Sequence, residues 1–145
     1  MTDTLQLYAL AETAQIPVLS FRLPECESLS LQSPDGSCWV GLDPTLPTAA
    51  SERVHLAHEL GHCFTGSFYN RYAAIEHRQK LKHHADKWAI EALIPPAAYA
   101  AALADGDTAL WQLAERFCVT EDFARKAVCW YQHGNLAVES YDWPD

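Results

Sequence analysis

His58-Glu59-Leu60-Gly61-His62 is the stretch from which the rest of this chain is read. It matches H-E-x-x-H and lies inside an apolar-periodic segment that predicts a helix from Ala49 to Phe64. Thr48 is placed to cap that helix and Gly66 to end it. Four residues of helix turn through about 400° and rise about 6 Å, so His58 and His62 share a face and can converge on one metal ion. Glu59 follows the first histidine and reaches a metal-bound water without ligating the ion. Zinc lowers the pKa of such a water toward about 7, and a carboxylate there can take its proton during attack on a carbonyl. The helix placement, Ala57 before the motif and the small Gly61 within it back the metal reading. His55 is on the same face, but three ligands from one straight helix span too much axis for bonds of about 2.0–2.1 Å. It reads as an ordinary, partly exposed histidine or one lining the cleft.

Outward from the motif, the upstream chain changes character. Leu5 to Gln15 reads as a short helix. Pro17, Pro24, Pro34, Gly36 and Pro44 then punctuate three apolar runs, Val18–Phe21, Ser28–Leu31 and Cys38–Leu42, which predict a small antiparallel three-stranded sheet. Pro34-Asp35-Gly36 is the turn between the last two. Downstream, a second helix spans about Lys80 to Ile94 and stops at Pro95-Pro96, with residues 67–78 irregular before it. Further helices are expected at 96–104, 107–117 and 120–133. One helix, three strands and then helices make an α+β pattern.

The 145 residues suit a single domain, and the net charge of −9 argues against broad binding to nucleic acid or an anionic membrane. No apolar run reaches the roughly 18–20 residues of a membrane span, and Met1-Thr2-Asp3-Thr4 lacks the pattern of a signal peptide. A cytoplasmic protein is expected. The five cysteines, at 26, 38, 63, 118 and 129, are odd in number and widely spaced, so they read as reduced and mostly buried thiols.

A zinc hydrolase of this type needs a third protein ligand, which the helix after the motif should supply. Leu81, Ala85, Trp88, Ala89 and Leu93 would form that helix's buried stripe. "VHLAHELGHCFTGSF" (54–68) followed by "ADKWAIEALIPP" (85–96) resembles the ImmA/IrrE family of metallopeptidases, with "VGLDP" and "LWQLAERFCVTEDF" also fitting. The resemblance runs over roughly residues 5–135. It implies a zincin-like core of thermolysin type: a small sheet, a zinc helix and a second helix. It also implies action on a protein substrate or regulator such as a helix-turn-helix repressor. Members are often carried by phages and mobile elements.

By position, the resemblance makes His58 and His62 zinc ligands, Glu59 the general base and Asp86 the residue that orients a ligating histidine. It also places a glutamate ligand four residues before that Asp, where this chain has Lys82. A protonated lysine is a poor zinc ligand and repels the ion. On a helix, residue i−3 shares a face with i, so His83 is the better replacement and would complete a His₃ site. His84 serves only if the helix starts later, Glu76 only if the preceding loop folds back, and an absent third ligand would leave an inactive descendant that acts as a protein-binding module.

Tyr69 and Tyr72 follow the zinc helix and are candidate donors to an oxyanion, or else aromatic packing beneath a loop. Residues 71–87 hold five basic groups against two acidic ones, a positive patch or simply a solvated helix face. Leu113–Glu121 resembles the first helix and turn of a helix-turn-helix. The helix after it offers only Arg125 and Lys126, too little charge to read DNA, so the pair is expected to close the core. The expected organisation is one domain, 1–145. It comprises an N-terminal helix and sheet (1–47), zinc-site helices (48–96), C-terminal helices (97–135) and a tail (136–145), of which 141–145 is expected to be loosely ordered unless Trp143 docks.

Overall fold

The computed structural model describes residues 2–68 and 73–143. Its elements, in order, are α1 (Thr4–Thr13), β1 (Val18–Ser20), β2 (Ser28–Gln32), β3 (Cys38–Leu42), α2 (Ala49–Thr65), α3 (Ile75–Leu93), α4 (Pro96–Ala104), α5 (Leu110–Phe117) and α6 (Glu121–His133), with a 3₁₀ turn at Val138–Ser140. The α+β reading holds. The sheet differs from expectation. Its strand order is β1-β3-β2, with β2 antiparallel to β3 and β1 parallel to it, so it is mixed. A two-strand hairpin follows from its turn: Gly36 at φ 90° and the Ser33 N–H to Ser37 carbonyl bond close it. No tight turn joins β1 to β2, and residues 21–27 carry the chain to the far edge of β3.

Side chains alternate across the sheet. Val40 and Leu42 of β3 face α2 and join the core, whereas Leu19, Phe21 and Leu31 are exposed on the other side. On β2 this leaves Ser28 and Ser30 facing α2, where an apolar pair would be usual.

α2 starts as expected: the Thr48 hydroxyl accepts from Ser51 N–H at 3.0 Å, and Gly66 ends the helix in the left-handed region at φ 65°. Leu56, Ala57 and Leu60 are fully buried. So is Arg53, 2% exposed, whose Nε donates to the Phe117 carbonyl at 3.2 Å. α3 begins five residues earlier than the sequence pattern places it. Its first turns are largely exposed, and its buried face starts at Ala85 and continues through Ala89, Ile90 and Leu93. α2 and α3 meet at small residues: a Cβ on Gly61 would stand 2.5 Å from the Ala85 carbonyl oxygen. Phe64 stacks on Trp88 beside that contact.

α5 and α6 bury Leu113, Phe117, Phe123, Ala124 and Ala127 and close the core, with Cys118 in the left-handed region between them. Trp143 docks: its Nε1 donates to the Val138 carbonyl at 2.7 Å and its ring packs on the core. The cysteines correct the expectation of reduced thiols throughout. Cys38 of β3 and Cys63 of α2 form a disulfide with Cα atoms 6.0 Å apart, and Cys26, Cys118 and Cys129 are free. Their pairing depends on how α2 lies on the sheet, which a separation of 25 residues does not disclose. Among the described residues, no helix is long and apolar enough to cross a membrane.

Candidate metal centre

His58 and His62 point their Nε2 atoms at each other, 3.1 Å apart. Two nitrogens bound to one zinc at about 2.0–2.1 Å in a tetrahedron stand roughly 3.3 Å apart, so the pair is set for a shared ion. Each ring is held from behind. His58 Nδ1 lies 2.7 Å from Asp86 Oδ1, and His62 Nδ1 lies 2.6 Å from the Ser67 carbonyl oxygen. A carbonyl can only accept, so His62 carries its proton on Nδ1 and leaves Nε2 as a lone pair for a metal. Burial of His62 and the neighbouring His58 push its pKa below the usual imidazole range, favouring the neutral, ligating form.

Gly66 and Ser67 make the second anchor. The left-handed Gly66 turns the chain back so that the Ser67 carbonyl faces the last turn of α2. Thr65 Oγ1 bonds both the Gly61 carbonyl and Ser67 Oγ, tightening that turn. A short polar run after a helix carried no signal that its backbone would hold a ligand ring.

Asp86 is 6% exposed and serves two partners: His58 on one oxygen and Lys126 Nζ on the other, at 3.4 Å. Burial raises its pKa, but the hydrogen bond and charge of His58 together with Lys126 outweigh burial and leave it lowered. Lys126 comes from α6, and nothing in the local sequence linked it to this site.

Glu59 is the third member of the cluster. One ligand atom from each of His58, Glu59 and His62 lies within 4.8 Å of the others. Its carboxylate accepts from Ser28 Oγ at 2.6 Å and Ser30 Oγ at 3.0 Å, both on β2. The three side chains open onto a cleft of about 790 Å³ between β2, α2, α3 and α6. His55 also lines the cleft and contacts Ser28 and Glu27.

On α3 the structure brings residue 82, not 83, to this cleft. Lys82 lines it together with Asp86, since a spacing of four residues returns nearly to the same helix face. His83 is exposed, stands outside the cluster and does not line the cleft. His84 is exposed in mid-helix, because α3 starts at Ile75, and Glu76 is exposed in its first turn. Tyr69 and Tyr72 lie outside the described residues.

Two imidazoles and their supports therefore fit a metal ion, while on α3 Lys82 brings an ammonium group to the same cleft. Such a site can hold a divalent ion and keep a carboxylate beside it, open to the cleft. Among curated proteins the sequence finds no match. The profile of the peptidase M78 family, described as the IrrE N-terminal-like domain, matches residues 16–128, which include the sheet, both site helices and most of α6. This chain belongs to the peptidase M78 family of IrrE N-terminal-like domains.

Proposed function

We propose that the chain is a zinc-dependent endopeptidase that hydrolyses a peptide bond in a protein substrate. A helix-turn-helix repressor in the cytoplasm is the substrate class to which the family resemblance leads. One observation carries the reading: the His58 and His62 Nε2 atoms converge at 3.1 Å while both Nδ1 atoms are engaged from behind. Family membership and the donor cluster of His58, Glu59 and His62 support it.

On this reading His58 and His62 hold the ion, and zinc supplies an acidified water and a polarised carbonyl. Glu59 takes the proton of the attacking water and delivers it to the leaving amine. Asp86 keeps the His58 ring in its ligating orientation, and the Ser67 carbonyl does the same for His62.

The test uses the full chain, purified without a histidine tag. About one zinc per chain is expected, with cleavage of unfolded casein that falls by about 10²–10⁴ in Glu59→Gln while the metal is kept. A chain that takes up no zinc at micromolar concentration sinks the reading. A second reading, a protein-binding module without catalysis, is favoured by Lys82 lining the cleft. It predicts that Glu59→Gln leaves the effect on the partner regulator intact.

A further inference from the structure

A line of hydrogen bonds leads from Glu59 away from the metal-facing side of the cleft. Ser28 Oγ donates to Glu59 Oε2 at 2.6 Å, and the same oxygen lies 2.8 Å from His55 Nδ1. His55 Nε2 in turn lies 2.9 Å from Glu27 Oε2. A hydroxyl has one proton. Since Ser28 gives its proton to the Glu59 carboxylate, the bond to His55 has to be donated by Nδ1–H. The bond to Glu27 has to be donated by Nε2–H, because a carboxylate only accepts. In this arrangement both ring nitrogens donate, and His55 stands between two carboxylates, touching Glu27 directly and Glu59 through the Ser28 hydroxyl.

We propose that His55 is a positioning residue for Glu59: braced by Glu27, its ring fixes the Ser28 hydroxyl, which holds the Glu59 carboxylate on the β2 wall as a base and out of the metal's ligand set. The inference rests on the role given to Glu59 above. It matters in this chain because Lys82 occupies the α3 position from which a carboxylate ligand would come, and Glu59 is the remaining acid in the donor cluster. A base that turned inward to ligate would no longer be a base. Ser30 holds the other oxygen at 3.0 Å, so both oxygens are tied to one strand. Donation into Ser28 strengthens its own donation to Glu59.

The surrounding charges leave this line intact. Cys26 lines the same wall, and burial, then Glu59, push its thiol upward, so it brings no negative charge to His55. Asp86 is occupied by His58 and Lys126 on the opposite wall.

The experiment is ¹⁵N NMR of the imidazoles in the metal-free full chain at neutral pH, with His55 assigned through His55→Gln. Two protonated ring nitrogens are expected for His55. In Glu59→Gln, an isosteric change, the new amide can donate to Ser28. That releases the hydroxyl to bond Nδ1, so His55 becomes neutral with its proton on Nε2. A neutral His55 in the parent, or an unchanged pattern in Glu59→Gln, overturns the proposal. The second measurement is cobalt(II) titration of Ser28→Ala/Ser30→Ala, which releases Glu59 to ligate and is expected to tighten binding by about tenfold. Equal or weaker binding overturns it as well. Neither measurement needs a substrate, so a failure to find peptidase activity remains a separate result.

Discussion

On α2, His58, Glu59 and His62 place three donor atoms within 4.8 Å of one another, whereas α3 brings to the same cleft one buried carboxylate, Asp86, and the ammonium of Lys82. The two helices are packed through Gly61 and Ala85, neither of which has any chemistry to offer. The helix that supplies donors is also the better anchored one. It is capped by Thr48, bonded to β3 through Cys63 and closed by Gly66, while α3 starts after Ala74, which offers no side-chain cap. Packing and ligand chemistry are therefore carried by different residues.

The largest effect is expected from cutting the covalent anchor of α2, for which α3 has no equivalent among the described residues. Closing a loop across 25 residues is worth about 3.5 kcal/mol by chain entropy. Cys38→Ala/Cys63→Ala should lose about that much in urea unfolding under non-reducing conditions, and an unchanged midpoint would mean that α2 is held by packing alone. Next comes the junction itself. Gly61→Ala drives a Cβ against the backbone of Ala85 and should cost about 1–3 kcal/mol. It should also pull Asp86 from His58, so calorimetry and zinc affinity should fall together.

Lys82→Glu addresses the asymmetry directly. It replaces a repelling charge by a carboxylate on the cleft face of α3 and should tighten zinc binding by about tenfold, read by competition with a chromogenic chelator. No gain would mean that α3 cannot deliver a ligand from this position. The smallest effect concerns the approach to α2. Hydrogen bonds from the Thr45 hydroxyl, Leu23 N–H and Thr45 N–H hold the Asp43 carboxyl at about 2, below its ordinary 3.8. Its folded form binds protons less readily than its unfolded form. The stability it adds is therefore present in full above about pH 4 and disappears as pH falls toward about 2. Asp43→Asn should flatten the dependence of melting temperature on pH in that window, and an unaltered slope would refute the assignment.

Much of this was legible beforehand because it is local. Helix periodicity, Thr48 and Gly66 as punctuation, and the Pro34-Asp35-Gly36 turn each act within a few residues. The start of α3 was missed because its first turns are polar and exposed and carry no apolar stripe to mark them. His83 illustrates a finer failure. Residues at −3 and −4 from Asp86 are nearly on one face, and only the lie of α3 against α2 decides which of them enters the cleft.

By itself the sequence determined which residues can do chemistry here: a His-Glu-His set spaced to share one helix face, with a lysine at the place of an expected acid. Helical geometry is a property of the backbone, so that spacing means the same thing in any fold. Tertiary structure decided what stands behind those residues, beyond the Asp86 that the family resemblance already set behind a ligating histidine. Asp86 and Lys126 behind His58, the Ser67 carbonyl behind His62, Ser28 and Ser30 on Glu59, and the Cys38–Cys63 bond all join separate segments or turns. Such partners are chosen by how elements pack against one another, and packing depends on the shapes of the whole set at once.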